Sequence, residues 1–432
     1  MIDFIKKTFI SLSIRNYRLF FSGQILSLIG TWIQRTTMSW FVYRLTNSAM
    51  ILGLVTFLSM IPSVFVSPFV GALADGWNRH RTIIYTQIAF LVQNTILAVL
   101  VLTNVINENL TYPILLLALM QGIIEAVDSP TRQALLIDLV GDKKMIPNAI
   151  ATNSAMFNGA RLVGPAVGGL LIILFSEGVC FAINAASYLP IIVSLQFIKV
   201  SYPKVPKSPQ PILQKIAAGW VYVYHSFPIR FLIANLAIYT LFGYSYSTLI
   251  PIFARDILGG NSGTQGLLMS TAGIGALVGA IILASKSSIR GLQIRLIVVG
   301  LIASTGLIIF SRGSVLAISM LMMLFIGFGI MMNTATTNTL LQSIVSDDMR
   351  TRVLSAYTMS FMSMTPFGGL LAGSLSSRLG AQTALLICAS ICFLWSLNSL
   401  RLVPRFTRDM LKMLVSNSNS AAYRAPKLRL NS

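Results

Sequence analysis

Asn158 to Gly169 reads NGARLVGPAVGG, an arginine and a Gly-Pro pair set inside an otherwise apolar run. An arginine facing hydrocarbon at a bilayer centre costs about 2.5 to 3.5 kcal/mol on insertion scales, so Arg161 must face partners, water or a ligand. The rest of the chain decides whether this run crosses a membrane. Its 432 residues are 55% hydrophobic and 10% charged, with a mean hydropathy of +0.77, too apolar for a soluble fold of this size. The expectation is an all-α, multi-pass membrane protein.

Outward from this stretch, apolar runs of about 20 residues, enough to cross about 30 Å of hydrocarbon, fall at 19–44, 50–74, 82–104, 111–130, 148–174 and 178–198. They resume at 229–254, 265–285, 292–311, 314–340, 353–376 and 380–402, which predicts twelve spans. Between the two sets lies a stretch with Pro203, Pro206, Pro209 and Pro211, followed by Ile212 to Phe227, which reads as an interfacial amphipathic helix. The organisation predicted is a six-helix half over 1–198, a cytoplasmic linker over 199–228, a second half over 229–403 and a basic tail over 404–432. Residues 1–18, with Lys6, Lys7, Arg15 and Arg18, read as a segment at the membrane surface. The run after them is interrupted by Arg35 and lacks a small-residue cleavage pattern, so it is kept as a span and not a cleaved leader.

With both termini in the cytoplasm, the outward loops hold only Arg44, Arg255, Arg312 and Arg378 of the 32 basic residues, and Arg35 and Arg161 are intramembrane. The positive-inside rule selects that orientation. The halves also echo each other: ALLIDLVGD from Ala134 matches TLLQSIVSD from Thr339, and PAVGGLL from Pro165 matches PFGGLL from Pro366. Spans four and five therefore correspond to ten and eleven. A repeat of this kind places a substrate site between the halves, near mid-membrane.

Other classes fit less well. A net charge of +20 would suit nucleic acid only if gathered on a soluble domain, whereas here the basic residues punctuate apolar spans. The chain has no GxxxxGK[ST] phosphate loop. Cys180, Cys388, Cys392, His80 and His225 form no metal-ligand pattern, so no metal or cofactor is expected. No nucleophile and base set suggests an enzyme.

Polar residues recur at helical spacing on several spans. Gln24, Ser27, Thr31 and Arg35 share one face of span one, and Ser154, Asn158 and Arg161 share one face of span five. Span four carries Gln121, Glu125 and Asp128; span seven Asn235, Tyr239 and Tyr246; span ten Asn333, Thr337 and Asn338. Such stripes line a shared aqueous cavity or join helices by hydrogen bonds. In the cavity reading, Gln24, Thr31, Arg35, Gln121, Ser154, Asn158, Arg161, Tyr239, Asn333 and Asn338 meet the substrate. Arg35 and Arg161 would then suit carboxylate or catecholate groups. The alternative is internal ion pairing, with Glu125 as the nearest partner to Arg161. Glu125, and after it Asp128, is the candidate to take up and release a proton between states.

Between spans two and three runs GALADGWNRHR, Gly71 to Arg81, where Asp75 can cap a helix or pair with Arg79, and Arg81 can reach Asp128. On span five, Ala160, Gly164 and Gly168 make a flat contact edge, with Pro165 as a bend and Gly169 beside it.

At these residues the chain resembles the major facilitator superfamily over about residues 15 to 403. Gly71, Leu73, Ala74, Asp75, Arg79 and Arg81 match the signature G-x-L-a-D-r-x-G-r-k, with Gly76 and Asn78 departing from it. The resemblance implies a cytoplasmic gate at Gly71, Asp75, Arg79 and Arg81. Gly164-Pro165 and Gly168-Gly169 are similar to the GP-x-x-GG motif of exporters and drug-proton antiporters. Ala118 stands where that group has a span-four arginine before Gln121-Gly122. GQILSLIGTWIQRTTMSWFVYRLTNSA, SPTRQALLIDLV and NSAMFNGARLVGPAVGG look most like the bacterial branch of enterobactin exporters and macrolide efflux proteins. The resemblance implies an inner-membrane exporter of a small molecule, a siderophore ahead of a macrolide-like drug; the nearest rival reading is an importer of a siderophore or organic anion. Protons, membrane lipid near the basic tail and a monomeric state complete the expectation.

Overall fold

The computed structural model describes residues 10–73, 78–108, 110–142, 144–198, 212–284 and 291–424. Among them the regular structure is helical: α1 (Arg15–Thr46), α2 (Ala49–Leu73), α3 (Arg79–Leu102), α4 (Tyr112–Val140), α5 (Ile146–Leu174) and α6 (Glu177–Gln196). After the linker come α7 (Ile212–His225), α8 (Phe227–Ile238), α9 (Tyr246–Ile252), α10 (Ser262–Ala284), α11 (Leu292–Arg312), α12 (Leu316–Ile344), α13 (Asp347–Leu379) and α14 (Ala381–Arg424). A π-helical turn at Tyr239–Gly243 joins α8 to α9 and a second at Phe253–Ile257 extends α9, so Phe227–Ile257 counts as a single span.

Each predicted apolar run lies on one long helix or rod, with ends within several residues except that α4 and α14 continue well past the predicted ends, to Val140 and Arg424. Ten of these are long and apolar enough to cross a membrane. The other two, α1 and α13, have the length, 32 and 33 residues, but carry more polar side chains. Ends are set by local chemistry. Asn78 caps α3, its Oδ1 accepting the Arg81 N–H at 3.1 Å, and Ser176 caps α6 through the Val179 N–H at 3.3 Å.

The packing scheme occurs twice. α2 lies on α4, and α10 on α12; α3 lies on α6, and α11 on α14. Helices from before and after the linker meet chiefly as α5 on α10 and α2 on α13. The α5–α10 approach needs glycine: a Cβ at Gly169 would lie 2.6 Å from the Ser262 carbonyl oxygen, and one at Gly266 would lie 2.6 Å from that of Pro165.

The hydrogen bonds joining the two sets gather at the end holding the α1–α2, α5–α6 and α9–α10 connections. Arg255 Nη1 donates to Asn47 Oδ1 at 2.7 Å, and Tyr43 donates to Asp256. Gln265 Nε2 donates to the Thr36 carbonyl at 3.0 Å and to Ser39 Oγ at 2.8 Å, and Ser262 Oγ donates to the Gly169 carbonyl at 3.1 Å. This end is sealed.

The final helix runs past residue 403 to Arg424. Phe406 and Met410, one turn apart, are buried with Val223 of α7 and Phe231 and Leu232 of α8, and the Arg405 guanidinium stacks on Phe227 at 4.3 Å. The first part of the tail expected at the lipid surface is therefore docked on protein, because its apolar residues recur at helical spacing.

Candidate functional site

α1 carries the centre of the site. Ser27, Thr31, Trp32 and Arg35 of α1 border a narrow cleft with Glu125, Asp128 and Arg132 of α4, Phe157 of α5 and Tyr188 of α6. Thr31 Oγ1 donates to the Ser27 carbonyl at 2.9 Å and sits 3.4 Å from Tyr188 Oη. Arg35 is 41% exposed and pairs loosely with Glu125 at 3.8 Å. Its guanidinium also lies 5.2 Å from the centre of the Trp32 ring.

Arg161 approaches the same ring from α5, at 5.8 Å. Its Nη2 donates to Tyr244 Oη at 2.9 Å, across the junction between the two helix sets. Among the described residues it has no carboxylate at ion-pair distance; Glu125 goes to Arg35 instead. The packing beneath explains the arrangement: a Cβ at Gly164 would lie 2.3 Å from Trp32 Cβ. Glycine there lets α1 and α5 close, and Arg161, one turn earlier, is brought against the indole.

Asp128 is buried and fully engaged. It pairs with Arg132 at 3.3 Å and accepts from Thr86 Oγ1 and Gln87 Nε2, each at 2.7 Å. Arg81, expected to reach it, is exposed, and Arg132, one turn along α4, takes that place. At the same end Arg79 Nη1 donates to both oxygens of Asp138, at 3.1 and 2.9 Å. Gly71 lies in the last turn of α2, and Asp75 lies outside the described residues.

The other predicted positions separate into three groups. Ser154 is exposed, and Asn158 Nδ2 donates to its carbonyl at 2.9 Å. Gln121 joins a chain inside the first helix set, accepting from Gln34 at 3.2 Å, while Asn184 bridges Gln34 and Asn94; Gln24 is buried elsewhere on α1, and among the described residues neither of its amide atoms is hydrogen-bonded. Tyr239, Asn333 and Asn338 lie away from the cleft. Tyr239 is buried with its hydroxyl 2.6 Å from Ser396 Oγ, Asn333 accepts from Asn235 at 3.0 Å, and Asn338 accepts from Gln342 at 3.2 Å. The Tyr239 and Asn333 contacts join helices, the alternative to the cavity reading, whereas the Asn338 bond stays within α12. On α5, Gly164 and Gly168 face α1, Gly169 faces α10, and the helix continues through Pro165.

Trp32, Tyr244 and Arg132 were not singled out from the sequence. Trp32 stands one turn before Arg35, a Trp-x-x-Arg spacing that could have marked it. Tyr244 is two residues from Tyr246 but carries no signal of its own. A larger cleft of about 500 Å³ lies at the sealed end, lined by Arg44, Glu108 and Glu177; its main charges satisfy each other, Arg44 Nε pairing with Glu177 at 2.6 Å.

A many-span helical bundle with a charged cleft inside its first helix set, tied to the second set beside it by Arg161 and Tyr244, has the build of a membrane transporter. The chain belongs to the transmembrane secretion effector family of the major facilitator superfamily, which it matches over residues 6–428. It is 28% identical over 264 residues to the staphyloferrin A transporter of Staphylococcus aureus, an alignment covering 61% of this chain and 66% of that one. It is 22% identical to macrolide efflux protein A of Streptococcus pyogenes, covering 86% and 93%. The fold is similar to the crystal structure of a bacterial homologue of the human lysosomal transporter Spinster, with a TM-score of 0.72, 15% identity and coverage of 92% and 98%. The major facilitator fold is thereby established, and these proteins are transporters, not enzymes.

Proposed function

We propose that the chain is a secondary-active exporter in a bacterial cytoplasmic membrane, moving a small anionic or polyoxygenated molecule outward by alternating access. A siderophore stands ahead of a macrolide-like drug. The observation carrying this reading is Arg161: a half-buried cation without a carboxylate partner among the described residues, held by a tyrosine from the opposite helix set. Such a group is poised for an anion. The siderophore transporter and the efflux protein among the relatives, together with the Gly164-Pro165 motif, weigh toward export.

In this reading residues 1–198 and 229–403 form two six-helix units that rock about the cleft, making twelve spans with both termini, the 199–228 linker and the 404–432 tail cytoplasmic. The transporter works as a monomer. Gly71, Asp75, Arg79 and Arg81 form the cytoplasmic gate, with Asp138 as the anchor of Arg79. Gln24, Thr31, Gln121, Ser154 and Asn158 complete the polar lining, and Pro165 is the pivot of α5.

Proton antiport is the proposed energy source. Glu125 pairs with Arg35 and so shares that guanidinium with any anionic substrate. A proton moving against the substrate is therefore assigned first to Asp128, which makes no contact with Arg35 or Arg161. In proteoliposomes, Asp128→Asn is expected to abolish dependence of efflux on the pH gradient, and Glu125→Gln to keep it. Intact gradient dependence in Asp128→Asn would remove Asp128 from the mechanism.

Comparing the medium of wild-type and deletion strains, with and without iron, tests substrate and direction together. A siderophore missing from the deletion medium supports the reading, and unchanged siderophore under iron limitation overturns it. Uptake by intact cells, with none by inside-out vesicles, would favour import.

A further inference from the structure

We propose that Trp32 is a specificity-determining residue that holds Arg35 and Arg161 as a pair, forming one subsite for a substrate with two anionic groups. The inference deepens the export reading above and names the chemistry of its cargo. Both guanidinium carbons lie against the same indole, at 5.2 and 5.8 Å from its centre. They can be no farther apart than the sum of those two distances, within the reach of one small molecule.

Two like charges gathered on one ring repel each other, and the repulsion is stronger beside apolar walls than in water. The arrangement persists because each cation has the ring face and weak polar partners. Arg35 has Glu125 at 3.8 Å, longer than a good charge-assisted hydrogen bond. Arg161 has the neutral Tyr244 and Tyr246 hydroxyls. Neither set of contacts occupies the whole guanidinium fork, which carries five N–H donors. A molecule with two carboxylates can place one on each fork and relieve the repulsion. A monocarboxylate relieves half of it, and a cationic drug meets two like charges.

Trp32 sets the pair geometrically. It is rooted on α1, pressed against Gly164 of α5 by a contact that tolerates no Cβ, and its ring spans the gap between the two arginines. Without the ring, Arg35 is free to swing toward Glu125, and the two positive charges no longer act on one ligand. Tyr244 takes up one of the Arg161 donors that an anion would otherwise meet.

The test is equilibrium binding to the purified, full-length protein, with glutarate and adipate as dianions and butyrate as the monoanion. The dianions are expected to bind about ten-fold tighter than butyrate, the size of one added charge-assisted contact. Arg35→Gln and Trp32→Leu should each abolish the preference for dianion over butyrate, and Trp32→Phe should keep part of it. Thermal unfolding checks that each variant is folded. Equal binding of dianions and butyrate by the wild type, or an undiminished preference in folded Trp32→Leu, overturns the proposal. If no dianion binds while vesicles still export erythromycin, the two-anion subsite fails and the export reading stands. If dianions bind as expected but inside-out vesicles accumulate neither dianion nor drug, the subsite stands and the export reading fails.

Discussion

Arg161 and Gly168 lie two turns apart on α5 and face different neighbours. Arg161 touches Trp32 and Tyr244, so Arg161→Ala is expected to lower transport about ten-fold or more while shifting the unfolding temperature little. Gly168 faces the α1 backbone, where a Cβ would sit 3.3 Å from Ile33 Cα. Gly168→Leu should therefore cost about 1–3 kcal/mol of stability by overpacking, visible in thermal unfolding, with transport retained in the molecules that fold. Equal loss of transport and stability in both variants would dissolve this division. The arginines were legible in the sequence because a charge in an apolar run demands a reason. Trp32 and Tyr244 were not, since an aromatic side chain in such a run looks like any other core residue.

At the level of elements, α5 serves two interfaces with adjacent glycines. Gly168 packs within the first helix set, and Gly169 packs on α10 of the second. Gly169→Leu should leave the fold intact and loosen the sealed end. The measurement is alkylation of a cysteine placed at Ser262: faster in Gly169→Leu than in a wild-type background if α5–α10 forms the seal, and equal if it does not. The π turn at Tyr239–Gly243 shows why helical spacing misread the seventh span. An i→i+5 turn inserts one residue, which rotates all that follows by about 100°. Tyr239 consequently points to Ser396, and Tyr244 reaches Arg161, whereas uninterrupted spacing had put Tyr239 and Tyr246 on one cavity face.

Over the whole molecule, the cross-links between the two helix sets leave one end closed and Ser154, toward the other end, exposed. In the proposed orientation the closed end faces outward. A membrane-impermeant maleimide should therefore label Ser154→Cys in inside-out vesicles and not in intact cells. The three native cysteines are buried and should stay silent. Labelling from the outer face alone would reverse the assignment of the open side.

The sequence by itself determined the helical class, the positions of the long helices, the repeat and the charged residues at the centre, because hydrocarbon imposes a length, a polarity and a reason for every charge. Only the tertiary structure decided which charges meet. It gave Glu125 to Arg35, Arg132 to Asp128 and Asp138 to Arg79, left Arg161 to an aromatic ring and two tyrosines, and turned Asn333 and Tyr239 away from the cleft. Those outcomes depend on helix rotation and on the depth at which two helices touch, set here by Gly164 and by a π turn. The run from Asn158 to Gly169 announces a buried arginine and a close contact; that the contact is what presents the arginine to Trp32 is visible only once α1 and α5 are packed.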